Sequence, residues 1–507
     1  MQAIHGRPAY SATDLVGYLE CEHLLTLERA ALAGAVERIV RPDEVLDLLR
    51  ERGEEHETRF LAYLQEERGL EWEAGRGPSD DALSRDERLD RDQAETIRLM
   101  RAGIPVIYQA TLYDGTWLGY ADFLLRVDGP GSDSDLGAWH YEVADTKLAR
   151  KTKPGALLQM CVYSDLVAGI QGRLPERMHV ALGGSGHRVD SHRLADYLAY
   201  YRRIRDRFLV VVGAGTAPVY PLEVTPEPVG HCDVCRWKEL CDARRRKDDH
   251  LSLVAFLRRD QARRLRAIGV PTRGALGALE APLPEIDRFS ASALDAARAQ
   301  ASLQVASEGL DRPLHELIAP IEEARGLAAL PEPSWGDLFF DMEGDPFAEE
   351  DGLEYLFGVV DPSEMDAAGE PAFRTWWAHS RADEKRAFEA FVDFVTERWK
   401  QDPAMHVYHY AAYERGRLGM LSTRHGTREA EVDRLLRGDV LVDLFRVVRQ
   451  GLRVGTESYS IKKLEPLYAL HRKAPLKEAG LSVVAYEKYV RSVLAGTPDQ
   501  SLLDGIG

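Results

Sequence analysis

Two acidic side chains and a lysine, carried by two apolar strands, are the first residues in this sequence that could do chemistry. In WHYEVADTK the two-residue period of a strand puts Asp145 and Lys147 on one face, and Asp122 stands alone among apolar residues in LGYADFLL. A buried carboxylate is unfavourable unless it is paired or binds a cation. Two carboxylates beside a lysine therefore predict a site for one divalent cation and an activated water. Glu142 falls on the opposite face and is left out of this site.

Composition places these residues in a globular chain of several domains. The sequence has 507 residues, of which 45% are hydrophobic and 29% charged, and its length predicts about three domains. No apolar run approaches the ~20 residues of a membrane helix, and the N-terminus lacks a signal peptide's apolar core, so we expect a cytoplasmic protein without membrane attachment. The net charge of −18 argues against nonspecific coating of nucleic acid, but it is compatible with a nuclease whose basic groove is local.

The segments around Asp122 and Asp145 are predicted to form helices and a hairpin. Residues 10–33 predict one helix that carries Cys21 and starts at a capping box of Ser11 and Asp14. Asp114-Gly115, between two alternating runs, predicts a β-hairpin that leads into the strand of Asp122. A helix is predicted after Pro154, and a strand near residues 218–224.

A second helical pattern, over residues 43–69, has His56 on its apolar stripe. A core histidine is the plain interpretation of His56. Gly53, one turn earlier, lets another backbone or a metal site approach the helix closely there, which leaves a ligand role open.

Four motifs, GxxH, GxxD, DxK and QxxxY, follow one another along residues 53–163. Their order resembles that of the RecB-like nucleases of the PD-(D/E)xK group. The resemblance implies a restriction-endonuclease-like α/β domain over residues 1–249 that hydrolyses phosphodiester bonds with Mg²⁺ or Mn²⁺. It implies metal ligands at His56, Asp122 and Asp145, catalytic roles for both acids and for Lys147, Gln159 and Tyr163, and phosphate contacts from Lys151 and Lys153.

Four of the five cysteines form a second pattern. Cys232, Cys235 and Cys241 are spaced C-x2-C-x5-C, and Cys21 stands far upstream. In a cytosolic chain such clustering indicates metal binding more than disulfides, and the spacing allows Zn²⁺. Resemblance to the iron–sulfur branch of RecB-like nucleases implies instead a [4Fe–4S] cluster that clasps the N-terminal helix to the end of the domain. Cys161 is expected to be a buried thiol.

Residues 250–332 predict a helical linker rich in alanine, leucine and arginine. A helix, a tight turn at Ile268-Gly269-Val270 and a second helix resemble a helix–hairpin–helix, whose turn amides can hold a phosphate. A plain helical spacer is the alternative.

Residues 333–507 predict a second α/β domain. The strand in WGDLFFDMEGDP ends with Asp341 and Glu343 on one face; two strands, a helix, a strand and a helix with Glu414 follow. The order resembles the ribonuclease H-like fold of DEDD exonucleases, which implies a second metal site at Asp341, Glu343 and Glu414. Glu414 stands where the family has Asp.

The last acid of that family has no counterpart here, because Asp443 and Asp504 do not lie where the motif puts it. We therefore expect a ribonuclease H-like domain that is incomplete at its C-terminus, or a fragment of a longer helicase-bearing protein. The chain has no G-x-x-x-x-G-K-[ST] loop, so no ATPase activity is expected of it.

The leading interpretation is a metal-dependent nuclease that acts in DNA repair or processing on DNA, by resemblance single-stranded, with a helicase as partner in cis or in trans. Two alternatives stay open. One is a non-catalytic nucleic-acid-binding module that partners a helicase. The other is 3'-5' exonuclease or ribonuclease activity from the C-terminal domain.

Overall fold

The structure is a computed structural model that describes residues 1–40, 43–78, 80, 82–184, 186–213, 225–349, 351–468 and 480–506. The backbone divides into two compact units, Met1–Cys241 and Asp242–Gly507. Both units combine helices with β-sheet, as the sequence predicts. No helix in the described ranges is long and apolar enough to cross a bilayer. The strand predicted near residues 218–224 lies outside the described residues.

The first unit contains eight strands and seven helices among its described residues, and the last helix continues past the unit boundary. Its strands are β1 (Gln2–Ile4), β2 (Arg7–Ser11), β3 (Trp72–Ala74), β4 (Val106–Tyr113), β5 (Trp117–Asp128), β6 (Trp139–Lys147), β7 (Arg177–Leu182) and β8 (Val189–Arg193). Its helices are α1 (Ala12–Glu20), α2 (Glu22–Leu32), α3 (Glu44–Glu66), α4 (Arg85–Ala102), α5 (Pro154–Gln171), α6 (Ala195–Gly213) and α7 (Lys238–Lys247).

Strand β5 is the centre of the first sheet. It pairs antiparallel with β4 and β6 and, near its start, parallel with β2. Phe123 and Ala144 are the last pair between these two strands, and Asp122 and Asp145 are the residues directly beyond that pair. The predicted hairpin is confirmed: β4 and β5 turn at Asp114-Gly115, where Gly115 has a φ of +91°.

Helices cover both faces of this sheet. On one face, a large core joins α1, α4, α5 and α6 to the sheet. On the other, Phe60 and Leu64 of α3 pack with Phe123 and Ala144. Strand β6 is buried on both sides as a result, which explains why it reads as a nearly continuous apolar run around its polar residues.

The single helix predicted over residues 10–33 is wrong in one respect. The structure has two helices, α1 and α2, and Cys21 between them is extended, with φ −157° and ψ 108°. The predicted capping box is present, since Ser11 Oγ accepts from the Asp14 amide and Asp14 Oδ2 accepts from the Ser11 amide. Cys21 therefore lies at a break between helices and not on one.

The second unit continues the numbering. Its strands are β9 (His315–Leu317), β10 (Leu338–Asp345), β11 (Leu353–Met365), β12 (Pro371–Trp377), β13 (Val407–His409), β14 (Leu441–Asp443) and β15 (Leu452–Val454). Its helices are α8 (Arg259–Ala267), α9 (Arg273–Gly277), α10 (Ala291–Ala306), α11 (Arg381–Gln401), α12 (Tyr413–His425), α13 (Glu429–Arg437), α14 (Leu444–Gly451), α15 (Ile461–Leu464), α16 (Leu481–Leu494) and α17 (Ser501–Asp504).

Five strands form the main sheet of this unit in the order β12-β11-β10-β13-β14. Strands β10, β11 and β12 are antiparallel neighbours, whereas β13 and β14 run parallel to β10. Helix α11 covers the sheet with Phe388 and Phe391, which join the core of Phe340 and Phe357. The predicted succession of three strands, helix, strand and helix is confirmed.

The predicted helical linker is helical only in part. Helices α8 and α9 flank the predicted turn, with Gly269 at φ +84°, but α9 has only five residues. Strand β9 pairs antiparallel with β15, and Gln300 of α10 donates to the Val454 carbonyl at 2.8 Å. A three-residue strand was not predictable here, because its partner lies more than a hundred residues downstream.

Candidate functional site

The structure brings Asp122, Asp145 and Lys147 together. Asp145 is 1% exposed, one of its carboxylate oxygens accepts from the Lys147 ammonium, and its Oδ1 has no hydrogen-bond partner among the described residues. Asp122 Oδ2 accepts from the amide and the hydroxyl of Thr146, both at 2.7 Å. Burial and then the Asp122 charge raise the pKa of Asp145.

Lys147 keeps its charge in this setting. Burial by itself lowers the pKa of its ammonium, but the Asp145 and Asp122 carboxylates raise it by more. Lys147 is therefore a fixed positive charge beside Asp145 and Asp122, and both carboxylates attract it.

His56 lies on α3 within electrostatic range of Asp122. Its ring is buried, and its Nε2 is 3.2 Å from the Ala181 carbonyl. A carbonyl only accepts, so Nε2 carries the proton and Nδ1 keeps a lone pair in the neutral ring. Burial lowers the pKa of His56, which favours that neutral form.

Gly53 has no close neighbour among the described residues. A Cβ atom built there would meet nothing within 4 Å, so neither a backbone nor a side chain in the described ranges fills the space that this glycine leaves open on α3.

Glu57, next to His56, is a site residue that the sequence reasoning missed. It accepts from Gln109 Nε2 at 3.1 Å, and burial and then the Asp122 charge raise the pKa of its carboxylate. Gln109 has a φ of +53° in the middle of β4, a strained conformation for a strand residue. An acid directly beside a histidine in GEEHE was the only sequence signal for it.

Gln159 and Tyr163 of the fourth motif lie on α5, and Gln159 Nε2 donates to the Tyr163 hydroxyl at 2.8 Å. The Tyr163 ring is buried against Gly119 of β5, where a Cβ would lie 2.7 Å from it. Tyr163 is within electrostatic range of Asp145 and Asp122. Gln159 and Tyr163 of the QxxxY motif therefore lie near Asp122 and Asp145.

Lys151 and Lys153 are exposed on the loop between β6 and α5, and Lys153 is the N-cap of α5. They follow Lys147 along the chain, and no bond ties them to the acids. Glu142 points elsewhere, as expected, since it accepts from the Arg177 amide and contacts His179 Nε2, both at 2.8 Å.

An aromatic–cation pair borders the acids. Tyr120 precedes Asp122 by two residues on β5, and Tyr120 is 42% exposed. The Arg76 guanidinium carbon lies 4.3 Å from its centroid, and Arg76 is also within electrostatic range of Glu57. Sequence alone could not show this pair, because Arg76 comes from a loop beyond β3.

Three of the four predicted cluster cysteines come together. Burial and then the neighbouring Cys232 and Cys21 raise the pKa of the Cys235 thiol. Cys235 also packs against the hydrophobic cluster that contains Cys241. Cys161 lies apart in α5, fully buried, and burial raises the pKa of its thiol to about 12.

Two contacts hold this cysteine segment. The Val229 amide donates to Cys232 Sγ at 3.4 Å, and Trp237 Nε1 donates to Glu28 Oε1 of α2 at 2.9 Å. The segment that carries three cysteines is thereby tied to the helix that follows Cys21.

The second unit holds another group of acids. Asp341 and Glu343 lie on β10, and Glu414 is in the first turn of α12. Glu414 is within hydrogen-bonding reach of Asp341; burial and then the Glu414 and Glu343 charges raise the pKa of Asp341. Glu343 accepts from the Ser482 hydroxyl at 3.0 Å. The three acids predicted here therefore share one end of β10.

His409 was not predicted as a site residue, yet it faces these acids. It ends β13, is 3% exposed, and its Nδ1 lies 3.3 Å from Glu414 Oε2. That contact is not aligned as a hydrogen bond, so both ring nitrogens are without one among the described residues. A polar residue at the end of the apolar strand VYH was its sequence signal.

Asp443 and Asp504 do not complete this group. Asp443 Oδ1 accepts from the amides of Ala411 and Phe445, both at 2.9 Å, so its carboxylate caps a turn and a helix. Asp504 is exposed on α17.

Neither group of acids forms a complete coordination shell for a metal ion. Among the described residues, no set of three or more His, Cys, Asp and Glu side chains is arranged to hold a metal ion as it stands. The carboxylates meet in pairs, Asp122 with Asp145 and Asp341 with Glu414.

A comparison with known families identifies part of the chain. Residues 338–503 match the model of the RNase_H superfamily. No curated protein matches the chain. The match covers β10 through α17, which includes all three predicted acids of the second unit. It indicates a nuclease that processes nucleic acid, and the C-terminal domain is ribonuclease H-like, as its sequence predicts.

Proposed function

We propose that the first unit is a divalent-metal-dependent deoxyribonuclease of the PD-(D/E)xK type. The observation that carries the proposal is the pair Asp122 and Asp145, next to the last paired residues of two adjacent strands and within electrostatic range of each other, with Lys147 bonded to Asp145. A buried carboxylate oxygen without a partner is costly, and Asp145 Oδ1 is such an atom. A cation bound there would satisfy it.

The donor set fits Mg²⁺ or Mn²⁺. Asp122 and Asp145 would supply oxygens, and His56 would supply Nδ1, since its Nε2 proton is held by the Ala181 carbonyl. Metal-binding histidines commonly donate their second ring nitrogen to such a carbonyl. When bound, the cation would polarise the scissile phosphate and lower the pKa of an attacking water.

The chain's own residues would do the rest. The Lys147 ammonium would neutralise charge that develops on the phosphate. Tyr163, held by Gln159 and seated on Gly119, would fix the strand relative to the acids. Lys151 and Lys153, exposed beside the site, would contact flanking phosphates.

Single-stranded DNA is the substrate that the surroundings favour. The exposed Tyr120 ring, two residues from Asp122, offers a face on which a base can stack, and Arg76 adds a positive charge beside it. Aromatic rings and arginines of this kind bind unpaired bases without regard to sequence. A role in DNA repair or processing, with a helicase in cis or in trans, follows from the resemblance alone.

Cys21, Cys232, Cys235 and Cys241 would hold a [4Fe–4S] cluster, with Zn²⁺ as the alternative. The support is that Cys232 and Cys21 both lie within electrostatic range of Cys235, and that the Val229 amide is directed at Cys232 Sγ. Hydrogen bonds to the sulfurs are usual around such clusters. The cluster would join the break at Cys21 to the far end of the unit.

For the ribonuclease H-like domain, two roles compete. Asp341, Glu343 and Glu414 would hold a cation for exonuclease or ribonuclease activity, because the Glu414 and Glu343 carboxylates lie close enough to Asp341 to raise its pKa. The other role is a binding module for nucleic acid or a helicase. The division into residues 1–249, 250–332 and 333–507 is part of this proposal.

Divalent-metal-dependent degradation of end-labelled single-stranded DNA tests the first-unit assignment. Asp145→Asn keeps the side chain's shape and removes its charge. The proposal requires that this variant lose cleavage with both Mg²⁺ and Mn²⁺ while it keeps the wild-type fold by circular dichroism.

A further inference from the structure

His409 is a buried imidazole that the fold leaves without hydrogen bonds. Its side chain is 1% exposed, and neither ring nitrogen has a hydrogen-bond partner among the described residues. A neutral imidazole has one donor and one acceptor, and burying both unsatisfied is unfavourable. A packing role alone would be filled better by an apolar ring, so the nitrogen atoms themselves need an explanation.

The geometry directs this ring at the acids of the second unit. Nδ1 lies 3.3 Å from Glu414 Oε2, an oxygen that also lacks a hydrogen bond among the described residues. Glu414 in turn reaches Asp341. Strand β13 runs parallel to β10, with Tyr408 paired to Phe339, so His409 ends beside the residues that lead into Asp341.

The turn between His409 and Glu414 holds them face to face. Ala411 in that turn has a φ of +75°, and its amide donates to Asp443 Oδ1 at 2.9 Å. Left-handed backbone at a non-glycine residue costs energy and persists only where its surroundings enforce it. The turn therefore brings the start of α12 back over the end of β13.

We propose that His409, Asp341 and Glu414 form a mixed nitrogen–oxygen site for a transition-metal dication. Carboxylate oxygens suit Mn²⁺, and an imidazole nitrogen adds a ligand that suits later first-row ions such as Zn²⁺. One buried nitrogen beside two carboxylates is therefore a donor set for a first-row transition-metal dication. The side chains now touch in pairs, and a cation between them would satisfy the free oxygen and nitrogen together. This inference rests on the proposed cation site of the C-terminal domain and is independent of the first-unit nuclease.

Electron spin-echo spectroscopy of Mn²⁺ bound to the untagged full chain tests it, because an imidazole ligand couples its nitrogen to the metal. His56→Gln first removes the histidine proposed for the other site. In that background we expect a nitrogen coupling that disappears when His409→Gln is added. His406→Gln is the matched control, since His406 precedes the same strand and lies 3.9 Å from Asp337, away from these acids; it should leave the coupling intact.

Binding affinity gives a second readout. In a background of His56→Gln and Asp145→Asn, which removes two proposed ligands of the other site, calorimetric titration should show a site for Mn²⁺. His409→Gln should weaken Mn²⁺ binding at that site by roughly ten-fold or more. If His409→Gln misfolds by circular dichroism, His409→Asn replaces it in both measurements.

A nitrogen coupling that survives loss of the His409 imidazole, or a bound Mn²⁺ in the His56→Gln chain with no nitrogen coupling, would overturn the proposal. Both measurements are made without nucleic acid. Failure of the chain to cleave DNA would therefore count against the nuclease assignment only, and the two failures are distinguishable.

Discussion

A Cβ atom on Gly119 would lie 2.7 Å from the ring of Tyr163. Gly119 opens the GxxD motif and Tyr163 closes the QxxxY motif, forty-four residues later. The aromatic ring occupies the space that a side chain at Gly119 would need, three residues before Asp122. The GxxD and QxxxY motifs therefore pack against each other. This packing is a physical reason for the two motifs to occur together.

Gly119→Ala tests this relationship. Its methyl group must displace a buried ring that is fixed between α5 and β5, and overpacking of this kind costs about 1–3 kcal/mol. We expect a lower free energy of unfolding in urea and a loss of DNA cleavage, because Tyr163 moves relative to the acids.

Gly53→Ala is the matched control. A Cβ at Gly53 meets nothing, and replacing a glycine inside a helix by alanine stabilises by roughly 0.5–1 kcal/mol. This variant should keep its cleavage activity and unfold at a slightly higher urea concentration. Equal effects of the two substitutions would contradict the packing account.

Cys21→Ala should remove the bound metal of the cysteine site. Cys21 is the only one of the four cysteines that comes from the N-terminal part of the chain. Its loss leaves three ligands and removes the proposed link between the N-terminal helices and the end of the unit. Protein purified without oxygen should contain iron and sulfide as wild type, or zinc if that alternative holds, and much less as Cys21→Ala. Cys161→Ala should keep the wild-type content, because that thiol is buried apart with a pKa raised to about 12. Wild-type protein free of iron and zinc would refute the assignment.

Tyr120→Ala should weaken binding of single-stranded DNA. Base stacking on an exposed aromatic ring is worth on the order of 1–3 kcal/mol, so we expect the Kd of a fluorescent oligothymidine to rise by about ten-fold or more. The measurement belongs in an Asp145→Asn background, which prevents cleavage. Tyr120→Phe should bind like the parent, and so should Tyr200→Ala, which removes another exposed tyrosine. Equal losses for Tyr120→Ala and Tyr200→Ala would show that Tyr120 has no special role.

Asp361→Asn should destabilise the ribonuclease H-like domain at neutral pH. Asp361 is fully buried and accepts from Arg398 and from the Ser363 hydroxyl, the latter at 2.6 Å. Burial by itself raises the pKa of Asp361, but the Ser363 and Arg398 hydrogen bonds together lower it below its usual value. Removing one partner of a buried ion pair costs about 3–5 kcal/mol.

The pH dependence of that loss follows from the lowered pKa. Asp361 contributes its full stability above its unfolded pKa of about 3.9 and loses that contribution as pH falls through the folded value. The difference in Tm between wild type and Asp361→Asn should be constant from pH 7 to pH 5 and shrink below about pH 4. Asp393→Asn, on the helix that carries Arg398 but in an exposed pair with Arg428, should change Tm little at any pH. A Tm difference between wild type and Asp361→Asn that increases as the pH falls would contradict this prediction.

The sequence predicts the order of helices and strands in both units better than it predicts their tertiary contacts. Strand alternation predicted Asp145 and Lys147 on one face, and the structure bonds them. The break at Cys21 was invisible, because the leucine spacing on either side of it continues a helical pattern. No described residue fills the space beside Gly53, since a glycine in a helix does not by itself indicate a neighbour.

The missed site residues have a common cause. Glu57 is recognisable only once Gln109 of β4 reaches it, and His409 only once α12 folds back over β13. Both contacts join segments that are distant or separated by a strained turn. The available signals were an acid beside a histidine for Glu57 and a histidine at the end of an apolar strand for His409. Each gains meaning only from the partner that the fold supplies.

The measurement that bears most directly on the central claim is degradation of end-labelled single-stranded DNA by anaerobically purified wild type, Asp145→Asn and Asp341→Asn, each with Mg²⁺ and with Mn²⁺. The account predicts that wild type cleaves, that Asp145→Asn does not, and that Asp341→Asn still does. Cleavage by Asp145→Asn together with its loss in Asp341→Asn would contradict the account and move the activity to the ribonuclease H-like domain. No cleavage of DNA or RNA by any of the three would favour a binding module instead.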